Sequence, residues 1–129
     1  QLKFIADRGG FIGVTMFPPF LKRGIESTVD DYVEALDYVI NLVGEDGVGI
    51  GTDHTQGYGQ DFFDHITHDK GRGRRLTNFG TVLNPEGIRT IGEMPNLTDA
   101  MERAGWKPER IVKVIGGNWL RVFGEVWGA

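Results

Sequence analysis

Gly47-Val48-Gly49-Ile50-Gly51-Thr52-Asp53-His54 decides how the rest of the chain is read. The uncharged run from Gly47 to Thr52 predicts a short strand buried on both faces, the kind found in parallel sheets. Glycines at 47, 49 and 51 leave one face of it almost bare, which suits a strand that other groups must approach closely. Asp53 falls at the carboxyl end, and a loop bearing Thr55-Gln56-Gly57-Tyr58-Gly59 follows at once. Ligands of α/β folds bind at that end, and an acid at the top of a barrel strand reads as catalytic. Asp53 can equally cap the next turn through its own backbone. The pattern alone leaves both readings open.

Upstream, Phe11 to Phe17 reads as a second uncharged strand, ended by Pro18-Pro19 because proline cannot donate to a ladder. Between the two strands lies the clearest helix. Ser27-Thr28 opens it, with Asp30 and Asp31 each three residues beyond a hydroxyl. Val29, Tyr32, Val33, Leu36, Val39, Ile40 and Val43 form one stripe at 3.6-residue spacing, and Gly44 stops it. Strand, helix, strand in this order is a βαβ unit, which predicts parallel strands. Gln1 to Arg8 reads as the last turns of an earlier helix, so the chain opens inside an element and is expected to be a piece of something longer.

Downstream, residues 57–94 hold seven glycines and no sustained period, which predicts a long loop overhanging whatever site Asp53 belongs to. Asn96 is placed to cap a short helix ending at Gly105, and Pro108 to open another. Gly116-Gly117 should break that one, with Asn118 capping a last helix that carries Trp119, Leu120, Val122, Phe123, Val126 and Trp127. We read residues 1–129 as a single partial domain.

The chain has 129 residues, 40% of them apolar and 25% charged, as in ordinary globular proteins. Its net charge of −4 argues against a nucleic-acid or anionic-membrane partner. Six carboxylates and no base lie between Ser27 and Gly47, whereas Lys70 to Arg75 holds four bases. Without cysteine there is no thiolate nucleophile and no cysteine-based zinc site. No run approaches a membrane span and no signal-peptide pattern is present, so the expected location is the cytoplasm.

Other constellations have plainer readings beside the chemical ones. Asp53 and His54 are adjacent on a strand and point to opposite faces, so only one can face a given site, and we favour Asp53. His65 and His68 share one helical face and could form half of a metal site, but a polar turn explains them as well. The Gly47-x-Gly49-x-Gly51 spacing lacks the helix that dinucleotide-binding glycines open. Gly71-Arg72-Gly73-Arg74-Arg75 could grip phosphate, yet it equally fits a solvated surface. The helix pair around Gly105 has a helix-turn-helix look with few bases on its second helix.

Five segments in order carry a resemblance: Gly10-Phe11-Ile12-Gly13-Val14 before Phe17, Thr28-Val29-Asp30-Asp31, Val48-Gly49-Ile50-Gly51-Thr52-Asp53, Pro95-Asn96-Leu97-Thr98, and Gly116-Gly117-Asn118-Trp119-Leu120-Arg121-Val122-Phe123. Together they resemble the C-terminal part of the renal (membrane) dipeptidase family of metallopeptidases, which is amidohydrolase-like. The resemblance implies an α/β fold with parallel strands, the seventh and eighth βα units plus terminal helices of a (β/α)8 TIM barrel. It implies two zinc ions at the carboxyl-end face and hydrolysis of dipeptides. Asp53 then matches the aspartate that moves the proton of the metal-bridging water, chemistry suited to a carboxylate. Thr15, Phe17, His54 and Tyr58 would shape the substrate pocket. Phe17 stands where a tyrosine can occur in the family, and His54-Thr55-Gln56 stands where Phe-Asp-Gly is common.

The family's metal ligands belong to earlier strands, so this chain is expected to supply no metal ligand and to be inactive alone. Two strands cannot close a barrel. At about 25 cal/mol per Å², their uncovered apolar faces would cost more than a domain's net stability. The expected partners are therefore the N-terminal remainder of the barrel and the dipeptide, with a second copy of the chain as a homodimer partner. The alternative is a catalytically silent barrel fragment acting as a binding module.

Overall fold

The computed structural model describes residues 1–66 and 82–128. His68 and the basic cluster from Lys70 to Arg75 lie outside the described residues. The centre of the fold is a parallel pair, β1 (Ile12–Val14) and β2 (Val48–Ile50), in the register Ile12 to Val48, Gly13 to Gly49 and Val14 to Ile50. Regular pairing spans three residues of each strand, shorter than the uncharged runs. Beyond it, Gly51 N donates to Val14 O at 2.9 Å and Met16 N to Thr52 O at 3.4 Å, so the chains stay together to their carboxyl ends.

Ahead of β1 comes α1 (Leu2–Ala6), and α2 (Val29–Val43) connects the two strands as the predicted crossover helix. Its capping box forms as the spacing required: Thr28 N donates to Asp31 Oδ2 at 2.7 Å. The predicted stripe is the face that packs on the sheet, with Val29, Tyr32, Val33, Leu36, Val39 and Ile40 all buried. Tyr32 is fully buried and donates its hydroxyl to Val14 O at 2.7 Å, so its one polar group is satisfied, and burial pushes its pKa up.

The six carboxylates between Ser27 and Gly47 all form ion pairs, four of them with bases beyond residue 100. Asp31 meets Arg23, Glu34 meets Lys22, Asp30 meets Arg103, and Asp37 meets Arg110. Glu45 meets both Arg110 and Lys113, and Lys113 also reaches Asp46. Two carboxylates around one ammonium hold the Lys113 pKa up at about 12. The acidic segment is thus a structural partner of the C-terminal helices.

Those helices are α4 (Pro95–Arg103), which buries Leu97, Ala100 and Met101 against α2, then α5 (Pro108–Val112) and α6 (Asn118–Trp127). Two sequence expectations are corrected here. Gly116-Gly117 does not break the chain: a wide π-type turn over Lys113–Gly117 joins α5 to α6 as one continuous helix. Asn96 does not cap α4, which begins at Pro95; its amide donates to Gly87 O at 2.8 Å. The segment expected to be one long loop also carries a helix, α3 (Gln60–Ile66), and a bridge between Thr28 and Glu86.

The bare glycine face of β2 is occupied. A Cβ on Gly49 would lie 2.6 Å from Phe11 Cζ and 3.0 Å from Trp119 Nε1. One on Gly51 would lie 2.8 Å from the carbonyl carbon of Gly13. The close approach foreseen for this face is thus made by the chain itself, through an aromatic pair whose ring centroids are 4.5 Å apart and through the neighbouring backbone. Trp119 also donates Nε1–H to Ile50 O at 2.7 Å, and Asn118 donates to Val48 O and Glu45 O at 2.8 and 2.7 Å. The two residues following the π turn therefore satisfy β2 carbonyls that β1 does not use.

Candidate functional site

The carboxyl ends of β1 and β2 are where the sequence places the site, and the backbone brings them together. Met16 and Thr52 are hydrogen-bonded, so Phe17 and Asp53 each lie one residue beyond a paired position. Asp53 leaves the strand in the left-handed region, with φ at +52°, and is the one non-glycine residue of positive φ among those described. Left-handed backbone is disfavoured for residues with a side chain and is tolerated best by Asp and Asn. Strain of this kind gathers at functional sites. The Asp53 side chain is exposed and lines none of the described cavities.

The loop after Asp53 is held in place by residues that the sequence did not single out. Asn84 donates its side-chain amide to Thr55 O at 2.8 Å and to Arg89 O at 2.9 Å. These two carbonyls fix which way the amide points. His54 Nε2 sits 3.3 Å from the same nitrogen, an acceptor position that suits a ring protonated at Nδ1. Gln56 Oε1 accepts from Ile91 N at 2.9 Å. Segment 82–94 therefore clasps the loop 54–56. Asn84 precedes a proline, a turn signal, but nothing local in the sequence marks it as a clasp.

The five predicted site residues do not share one pocket. Tyr58 stacks on Phe62 with centroids 4.2 Å apart and lines a cavity of about 170 Å³ with Thr55, Gln56, Phe63, Asn84 and Arg89. His54 touches that cavity's wall through Asn84. Thr15 accepts the Phe17 N–H on its own hydroxyl at 3.2 Å and lines a different groove, with Phe20, Ala35, Tyr38 and Val39. Phe17 packs edge-on against Phe20 at 5.2 Å. Among the described residues no three His, Cys, Asp or Glu side chains are placed to hold a metal ion, and no helix is long and apolar enough to cross a membrane.

A parallel α/β unit with a carboxylate just past a strand's carboxyl end defines the class: a fold whose ligands bind at the strand tops. Comparison with known proteins narrows it. The sequence pattern of the membrane dipeptidase family (peptidase family M19) matches residues 1–68 and 60–128, and the chain belongs to that family. A crystal structure of an amidohydrolase from Pseudomonas aeruginosa is 63% identical and superposes with a TM-score of 0.93, over 99% of this chain and 39% of that one. A metallopeptidase from Rhodobacter sphaeroides, solved with a phosphinate mimic of the dipeptide L-Ala-D-Ala, shares the fold. It is 23% identical, with a TM-score of 0.70 over 98% of this chain and 30% of that one. An uncharacterized protein in the pqqA 5' region of Klebsiella pneumoniae is 29% identical over 98% of this chain and 39% of its own length. The chain thus spans two-fifths or less of the length of each of these relatives.

Proposed function

We propose that this chain is the C-terminal portion of a dipeptidase-like hydrolase, contributing the seventh and eighth βα units and the terminal helices of a (β/α)8 barrel. The observation that carries this reading is Asp53, held in a left-handed conformation directly past the second of two parallel strands in a member of the dipeptidase family. The described residues do not fit a metal site by themselves. The two zinc ions in our reading would be held by residues of the preceding strands.

This chain's part in the reaction is the path of one proton. Water adds to the carbonyl carbon of the dipeptide, and Asp53 takes the proton that water loses. As the C–N bond breaks, Asp53 passes that proton to the leaving amine, and the products are two amino acids. In this reading Thr15, Phe17, His54 and Tyr58 would flank the approach from two sides, Thr15 from one groove and Tyr58 from another cavity. His54 is oriented by Asn84, and Phe17 offers an apolar surface without a hydroxyl.

The second reading, a catalytically silent module that binds another chain, draws on apolar side chains that lie open. Val126 is 70% exposed, and Leu120 and Trp127 are each 74% exposed. In our reading the rest of the barrel covers such faces. Assaying the longer gene product and residues 1–129 side by side separates the two. The longer protein should hydrolyse a dipeptide such as L-Ala-D-Ala in a chelator-sensitive reaction, and residues 1–129 with added zinc should not. Turnover by residues 1–129 alone would contradict the placement of the metal ligands upstream. A metal-loaded longer protein that cleaves no dipeptide would favour the binding module.

A further inference from the structure

The left-handed backbone at Asp53 persists only where the surrounding structure holds it. Asp53 lies three residues beyond Ile50, the last residue of β2. The peptide unit between Ile50 and Gly51 is gripped from both sides. Trp119 Nε1–H donates to Ile50 O at 2.7 Å, and Gly51 N–H donates to Val14 O at 2.9 Å. A trans peptide points its C=O and N–H in opposite directions, so these two bonds fix the orientation of its plane. Further along, Met16 N reaches Thr52 O at a longer 3.4 Å, so the grip is tightest at the indole. The ring sits on the sheet face that lacks side chains. A Cβ on Gly13 would come within 3.3 Å of its Cζ2, and one on Gly49 within 3.0 Å of its Nε1. Phe11 braces the ring edge-on with centroids 4.5 Å apart, and Phe123 ties it to the rest of α6 at 5.3 Å.

We propose that Trp119, on the terminal helix, is a positioning residue for the proton transfer: its indole N–H holds the end of β2 so that the Asp53 carboxylate stands within reach of the reacting atoms. The proposal rests on the reading of Asp53 as the proton carrier. Proton transfer needs its partners within hydrogen-bond reach, and a displacement of about 1 Å is costly in rate. Tyr32 supplies the comparison. Its hydroxyl donates to Val14 O, and Val14 is the register partner of Ile50, so the two donors act at one level of the sheet. When the Tyr32 hydroxyl is removed, Val14 O keeps the Gly51 N–H and the grip on the peptide plane survives. When the indole N–H is removed, that grip loses one of its two sides. A merely structural role predicts similar consequences from both deletions. A positioning role predicts a loss of turnover from Trp119 alone.

The test measures kcat, KM, metal content and melting temperature of the longer gene product on a dipeptide such as L-Ala-D-Ala. Its variants are Trp119→Phe, Tyr32→Phe, Asp53→Asn, and the double variant of Trp119→Phe with Asp53→Asn. Trp119→Phe keeps an aromatic ring and removes the N–H. It should lower kcat about 10–100-fold with KM within about twofold, whereas Tyr32→Phe should keep kcat within about twofold. In the Asp53→Asn background, Trp119→Phe should change kcat by less than about twofold, because no carboxylate is left to place. Three results overturn the positioning role while leaving the hydrolase reading intact: a Trp119→Phe kcat within about twofold of wild type, equal losses in Trp119→Phe and Tyr32→Phe, or the full loss repeated in the Asp53→Asn background. A Trp119→Phe protein without its metal or its cooperative melting overturns it as well, since the N–H would then serve the fold. Asp53→Asn with the kcat of wild type, or a wild type that cleaves no dipeptide, sinks the reading of Asp53 and this role with it.

Discussion

Substituting Gly51 by alanine probes the tightest contact in the sheet. Its new Cβ would lie 2.8 Å from the carbonyl carbon of Gly13 and 3.0 Å from the Gly13 Cα and oxygen. Ordinary carbon contacts are about 3.5–4.0 Å, so β1 and β2 must part by more than about half an ångström. Nothing there can rotate aside, because the obstacle is backbone. The bonds at risk are Gly51 N to Val14 O, at 2.9 Å, and Met16 N to Thr52 O, already 3.4 Å. Losing two backbone hydrogen bonds costs about 1 kcal/mol each, and overpacking adds about 1–3, for a total of about 3–5 kcal/mol. That is a large part of the 5–15 kcal/mol by which a typical domain is stable. At Gly49 the nearest obstacles are the side chains of Phe11 and Trp119, which can yield, so alanine there should cost about 1–3 kcal/mol. Urea unfolding followed by circular dichroism measures both. Gly51→Ala within about 0.5 kcal/mol of wild type, or milder than Gly49→Ala, would mean that the two backbones are not in contact there.

Further outcomes follow from the buried polar contacts. Asn118→Ala leaves the carbonyls of Glu45 and Val48 without their donor and should cost about 2–3 kcal/mol in unfolding experiments. Asn118→Asp should cost more, since a carboxylate would face two carbonyl oxygens; an Asp variant as stable as the Ala variant would contradict this geometry. The Arg23 guanidinium holds the Asp31 carboxyl down at about 2, helped by the Thr28 N–H. A depressed folded-state pKa adds stability above the unfolded value, and that stability is lost as the pH falls from about 5 towards 2. With Arg23 half exposed, its size should be about 1–2 kcal/mol. Wild type and Asp31→Asn should therefore converge in stability across that window; parallel curves would remove the linkage.

The sequence made the parallel pair legible because its markers are local. Two uncharged runs flank a helix with a 3.6-residue stripe, a Thr28–Asp31 capping box and a terminal Gly44. The bare glycine face was equally legible as a place of close approach, but not its occupants, since Trp119 stands far along the chain from Gly49. The same distance hid the pairing of the acidic segment with Arg103, Arg110 and Lys113. Gly116-Gly117 reads as a break by propensity, yet tertiary bonds from Asn118 and Trp119 to β2 hold the helix through it as a π turn. At the site, Asp53 stood out through its place at a strand end. Asn84 did not, because its role as a clasp arises only when segment 82–94 folds back on residues 54–56.

Asp53→Asn in the full-length protein tests most directly whether Asp53 carries the proton. Asparagine keeps the shape of the side chain and tolerates the left-handed backbone at φ +52°, so the fold and the bound metal should be preserved. Loss of the base should lower kcat for a dipeptide by about 10²–10⁴-fold, with metal content and melting temperature unchanged. A kcat within about twofold of wild type would contradict the assignment.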